Sequence, residues 1–233
     1  MKILSLNAWH GERKDELRAF LSSQWATTDI FCFQEANGDN MEEIMTELFD
    51  TSYFQQAVAK KFIEPHRNYC LYTIVKKPIK LLCHYSLFGP NDSNIGEALA
   101  TEIEVDGKHL AIVNVHGVPQ PGDKLDNEWR LRQTKRIVSW TSDHGTPAIV
   151  CGDFNLLPET RSVQNFAAAG WRNLIEDYAI STTRNQLAWA RYPDNKQLFA
   201  DYTFVSPDLT IVNFDVPDIE VSDHLPMIID AKV

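Results

Sequence analysis

The sequence predicts one α/β domain built on mixed β-sheets. Three observations predict it. The run DIFCF (29–33) is almost continuously apolar, as expected of a strand buried on both faces. Helical periodicity follows several such runs, giving strand–helix alternation. An Asp106-Gly107 hairpin signal in mid-chain adds antiparallel pairing, so the sheets are mixed and not purely parallel. The 233 residues, 44% hydrophobic and 23% charged, suit one large core better than two. Proline and glycine are spread as turn punctuation, so residues 1–233 are expected to form a single domain.

The elements follow in order. KILSL (2–6) reads as a short strand, and KDELRAFLSSQW places Leu17, Phe20, Leu21 and Trp25 at helical spacing. After the strand at 29–33, Asn40 is expected to open a second helix. Glu43 then stands at the capping-box position, and Met41, Ile44, Met45, Leu48 and Phe49 form the apolar face. LYTIV (71–75) and IKLLCHYSLF (79–88) read as strands, and TEIEVDGKHLAIVNVH as a hairpin. NEWRLRQTKRIVSW (127–140) is a helix whose Arg130, Arg132, Lys135 and Arg136 are assigned to the solvated side. PAIVC (147–151) is a strand and VQNFAAAGW (163–171) a weaker helix ending near Gly170. YTFVS (202–206), LTIVNF (209–214) and PMIIDAKV (226–233) complete the strands.

Bulk properties narrow the chemistry. A net charge of -10 argues against non-specific coating of nucleic acid, although a bound cation would let an acidic protein act on phosphate esters. The cysteines Cys32, Cys70, Cys83 and Cys151 show no C-x-x-C spacing, so buried free thiols are expected. No run approaches the roughly 20 apolar residues of a membrane span. The opening MKILSLNAWHGERKDE lacks a signal-peptide pattern, and a cytoplasmic protein is expected. No protein partner is readable.

Polar residues recur at strand ends with one polarity. Asn7, Glu35, His116, Asp153 and Asn155 each follow a predicted strand, while Asp201, Asp223 and His224 each precede one. In a mixed sheet, the ends of strands running up and the starts of strands running down share an edge. One rim would therefore collect carboxylates, imidazoles and amides. Crowded carboxylates resist ionisation unless a cation sits among them. Oxygen donors without cysteine favour Mg²⁺ or Mn²⁺ over zinc.

The motifs LNAW, FQE, NVHG, GDFN, ADYTFVS and SDH, in this order, resemble the endonuclease/exonuclease/phosphatase superfamily from Asn7 to His224. The resemblance implies a deoxyribonuclease I-like four-layer α/β sandwich: two mixed β-sheets packed face to face, with helices on the outside. It implies Mg²⁺- or Mn²⁺-dependent hydrolysis of a phosphoester. A nuclease or other phosphodiesterase is the first expectation; a phosphatase or phospholipase on a phosphoinositide, sphingomyelin-like or other small ester is the alternative. An inactive binding module of the same fold is the third. By resemblance, Glu35 holds the metal with Asn7 beside it and Asp223 within reach. Asp153 orients or deprotonates the attacking water, Asn155 binds the phosphate, and His224, oriented by Asp201, protonates or stabilises a phosphate oxygen. His116 resembles a second catalytic histidine whose carboxylate partner the sequence does not identify. Arg184 either holds phosphate as a bidentate fork or is a surface arginine paired with a carboxylate. Trp9 and His116 stand where apurinic endonucleases carry other residues, so that repair activity is not expected.

Overall fold

Strand β1 (Lys2–Asn7) shows how the sequence builds the layers. Its side chains alternate: Ile3 joins the core between the sheets, while Leu4 and Leu6 join a second core under the helices. Strand β2 (Ile30–Gln34) does the same, with Ile30 and Cys32 inward and Phe31 and Phe33 outward. Both faces of these strands are covered, which is why they read as continuous apolar runs.

The computed structural model describes residues 1–64, 67–88 and 96–232. After β1 come a 3₁₀ turn (Trp9–Gly11), α1 (Lys14–Gln24), β2 and α2 (Asp39–Leu48). Next are β3 (Phe54–Glu64), β4 (Arg67–Lys76), β5 (Lys80–Ser86), β6 (Glu97–Val105) and β7 (Lys108–His116). Then follow α3 (Glu128–His144), β8 (Ala148–Asp153), α4 (Arg161–Ala168), β9 (Arg172–Asn173), α5 (Leu174–Asp177) and α6 (Gln186–Arg191). The chain closes with β10 (Asp201–Val205), β11 (Thr210–Asp215) and β12 (Met227–Lys232). Val233, the last residue of the expected final strand, lies outside the described residues.

Among the described residues there are two six-stranded sheets, ordered β11-β12-β1-β2-β4-β3 and β5-β6-β7-β8-β10-β9. Each has one parallel pair near its centre, β1 with β2 and β7 with β8, and antiparallel pairing elsewhere. The first sheet carries α1 and α2 on its outer face through Leu17, Leu21, Met41 and Ile44. The second carries α3 and α4 through Ile137, Val163 and Phe166. The result is the four-layer sandwich, helices outside. Between the sheets lies a polar strut: Gln34 Nε2 donates to Asn114 Oδ1 at 2.6 Å, and Asn114 Nδ2 donates to the Phe33 and Tyr72 carbonyls at 3.1 and 3.0 Å. Gln34 immediately precedes Glu35, and Asn114 lies two residues before His116, so this strut aligns the two halves of the rim. No helix among the described residues is long and apolar enough to cross a membrane.

Three expectations change. Arg130 is fully buried, not solvated. Its guanidinium donates to the Val118, Pro121 and Leu125 carbonyls and pairs with Asp123, so it organises the loop before α3. Arg132, Lys135 and Arg136 are exposed as expected. The capping box at Asn40 and Glu43 does not form: Gly38 precedes the helix, Asn40 donates to the Gly11 carbonyl, and Glu43 pairs with Lys14. Finally, β3 had no counterpart in the sequence assignments; its Gln-rich start lacks the apolar run that marks central strands.

Candidate active site

The GDFN segment shows how an apolar strand delivers polar groups. Phe154 is buried and meets Phe166, Tyr202 and Phe204 edge-on at 5.8, 5.8 and 5.4 Å. That plug fixes the turn, and Asp153 and Asn155 on either side of it face the rim. Gly152, with φ of 134°, must be glycine, because a Cβ there would lie 2.2 Å from the Val115 carbonyl oxygen. Trp9, His10, Glu35, Lys124 and Asn155 all hold positive φ, and all line the same cavity. Left-handed backbone at non-glycine residues is strained and concentrates at functional sites.

Asp153 joins the two sheets' contributions. It pairs across β8 with His116 of β7 on one side and with Asp201 of β10 on the other. Its Oδ1 accepts the Asn155 backbone N–H at 2.9 Å, and its Oδ2 accepts Asn7 Nδ2 at 3.0 Å. Burial pushes its pKa up, but the charges of His224, Lys124, His116 and Arg184 prevail and hold it below the usual aspartate value. The buried Lys124 donates from Nζ to Asn155 Oδ1 at 2.5 Å, and burial lowers its pKa.

Glu35 faces two imidazoles. His10 Nε2 lies 3.1 Å from Oε2, and His116 Nε2 lies 3.6 Å from Oε1. Burial opposes its charge, but the His10 hydrogen bond and the positive charges of His116, His10 and His224 hold the carboxyl far below the ordinary range. The contact with Glu35 raises the His10 pKa, whereas burial lowers that of His116.

His224 places Nδ1 2.9 Å from both Asp201 oxygens. Its Nε2 lies 3.7 Å from Asp153 Oδ2 and 3.0 Å from Arg184 Nη1. Burial and Arg184 disfavour the charged ring, but Asp201, Asp153 and Asp223 outweigh them and keep its pKa above the histidine norm. The Arg184 contact suits the neutral ring, in which Nε2 accepts; protonation of Nε2 breaks it. Arg184 is buried, not at the surface, and its Nη2 donates to Asp223 Oδ2 at 3.0 Å. An isolated β-bridge between Arg184 and His224 sets that position.

Two groups among the described residues have the spacing of metal ligands: Glu35, His116 and Asp153, and Asp153, Asp201 and His224. Asp223 belongs to neither and serves Arg184. Carboxylate oxygens of Glu35 and Asp153 with the Asn7 amide nearby form an oxygen-rich donor set that fits a hard divalent cation.

The profile of the Endonuclease/Exonuclease/phosphatase family matches residues 4–224. The chain belongs to that family.

It is therefore an endonuclease/exonuclease/phosphatase-family hydrolase of phosphoesters. No curated protein matches it by sequence. Solved structures of the same fold are similar to it end to end. A mannosyl-6-phosphatase of Bacteroides thetaiotaomicron superposes with a TM-score of 0.79 at 15% identity, covering 100% of each chain. An endonuclease/exonuclease/phosphatase from Bacteroides vulgatus gives 0.78 at 18% identity, covering 100% of this chain and 98% of that one. TDP2 of D. rerio complexed with single-stranded DNA product gives 0.71 at 14% identity, covering 100% and 99%.

The structure gathers Glu35, His116, Asp153, Asn155, Arg184, Asp223 and His224 around one cavity of about 410 Å³, with Asn7 and Asp201 bonded to residues that line it. Sequence reasoning missed Lys124 and His10. Both lie in loops that leave the C-terminal ends of strands, β7 and β1, so the strand-end rule contained the signal to find them.

Proposed function

We propose that the chain hydrolyses a phosphoester with Mg²⁺ or Mn²⁺, by in-line attack of water. One observation carries the proposal: Glu35, Asp153 and the Asp201–His224 pair, separated widely in sequence, share one rim. Glu35, with Asn7 beside it, would hold the cation, which would act as a Lewis acid on a phosphate oxygen. Asp153, kept ionised by its neighbours, orients the water and accepts its proton. Asn155, braced by Lys124, donates from its amide nitrogen to a phosphate oxygen. Charged His224, oriented by Asp201, gives its proton to the departing oxygen.

The test is hydrolysis of p-nitrophenyl and bis-p-nitrophenyl phosphate with Mg²⁺ or Mn²⁺, with EDTA, and with Glu35→Ala or Asp153→Asn. Turnover should fall at least about 100-fold on chelation and in each variant. Activity insensitive to all three refutes the mechanism, and absence of turnover in the folded wild type favours a binding module.

A further inference from the structure

Resting on the hydrolase reading of this site, we infer that its substrate is a small phosphate monoester bound end-on, and not an internal phosphodiester of a nucleic-acid strand. The cavity of about 410 Å³ has the size of a small-molecule site. Its rim is tied on both flanks of one wall, the segment from α6 to residue 197. On one flank, the Arg191 guanidinium sits 5.7 Å over the Trp9 ring and 5.7 Å from that of Tyr192, linking α6 to the turn after β1. On the other, Asn195 Nδ2 and Gln197 Nε2 both donate to the Gly122 carbonyl, at 3.2 and 2.9 Å, linking this wall to the loop before α3. Trp189 Nε1 donates to the Gln197 carbonyl at 3.0 Å and braces the second tie.

An internal phosphodiester placed on Asp153 must send chain away in two directions. Among the described residues, ties at both flanks of this wall hinder the passage of a chain on either side of it. A terminal phosphate needs only one exit, with its alcohol directed outward, toward the aromatic and amide groups of the rim. Two buried cations, Lys124 and Arg184, line the cavity, and the oxygens of a dianion would compete for them with Asn155 and Asp223. The chain's net charge of -10 offers a polyanion no general attraction. In the reaction, the bond from phosphorus to the alcohol oxygen breaks as one to water oxygen forms. One water proton passes to Asp153, the leaving oxygen gains one from His224, and exchange with solvent restores both groups.

The experiment compares phosphate monoesters with diesters on the full chain, with Mg²⁺ or Mn²⁺. The monoesters are p-nitrophenyl phosphate, a hexose 6-phosphate and a nucleoside 5′-monophosphate. The diesters are bis-p-nitrophenyl phosphate, a single-stranded oligonucleotide and supercoiled plasmid. The best monoester should exceed every diester in kcat/KM by about 100-fold, with the plasmid left intact. Asn195→Ala combined with Gln197→Ala unties the rim, and should raise KM for the monoester about fivefold while narrowing its advantage over the diesters. A diester or plasmid turned over as well as the best monoester overturns the inference and leaves the hydrolase reading standing. Turnover of none of them overturns both.

Discussion

Asn7, at the end of β1 in one sheet, donates its side-chain amide to Asp153, at the end of β8 in the other, across 3.0 Å. Its Oδ1 meanwhile accepts the Trp9 backbone N–H at 3.0 Å. Asn7→Ala removes both contacts. Loss of one aligned donor at such a centre is expected to lower kcat by about 100- to 1,000-fold. Circular dichroism should stay native; a fall of less than about tenfold would remove Asn7 from the machinery.

The Asp201–His224 pair sets a pH dependence. Burial and Arg184 oppose the charged ring, but the carboxylates of Asp201, Asp153 and Asp223 outweigh them and raise the His224 pKa on folding, so the protonated ring is favoured in the folded state. The associated stability is complete below the unfolded value of about 6.5 and is lost as pH rises through the higher folded value. Activity that needs the charged ring declines over the same window. Asp201→Asn should move the alkaline limb of kcat to lower pH and reduce kcat by about 100- to 10,000-fold. NMR titration of His224 checks the direction, and an unmoved limb contradicts the assignment.

Lys124 and Asn155 should act as a unit. Lys124→Met leaves Asn155 without its 2.5 Å partner, and kcat is expected to drop about 10- to 100-fold. Combined with Asn155→Ala, the loss should be much smaller than the product of the two single losses. Independent, multiplying effects in the double-mutant cycle would show that the contact has no catalytic consequence.

Arg130 is a stability residue that also shapes the site. Arg130→Met strands the Val118, Pro121 and Leu125 carbonyls and frees the loop that carries Lys124. Urea unfolding should register a loss of about 3 kcal/mol. Stability within about 0.5 kcal/mol of wild type would show that water replaces the guanidinium at no cost.

Much of this centre was legible because strand ends are legible. Asn7, Glu35, His116 and Asp153 each follow an apolar run, and mixed pairing brings those ends together. The same strand ends lead to His10 and Lys124, which carry no motif and lie further along the loops that leave β1 and β7. Arg130 was misplaced for a different reason. Periodicity gives a helix face, but not whether that face meets water or a loop of carbonyls, and RLRQTKR reads as a solvated stripe either way. The apolar face of α2 was read correctly at Met41, Ile44 and Met45, yet its first turn was not. Asn40 is a plausible cap in isolation, but the Gly11 carbonyl takes its side chain. The Arg184–Asp223 pair joins positions 39 residues apart, a contact that no local pattern announces.

The amide strut of Gln34 and Asn114 has a mechanical consequence. The two sheets share no strand pairing among the described residues, so their alignment is held by packed side chains, by this strut and by the Asn7–Asp153 hydrogen bond. A slide of about one ångström would leave every ladder intact and still ruin the placement of the attacking water. Catalytic failure should therefore precede melting, and hydrostatic compression or gentle warming would silence the enzyme while its spectra still look native.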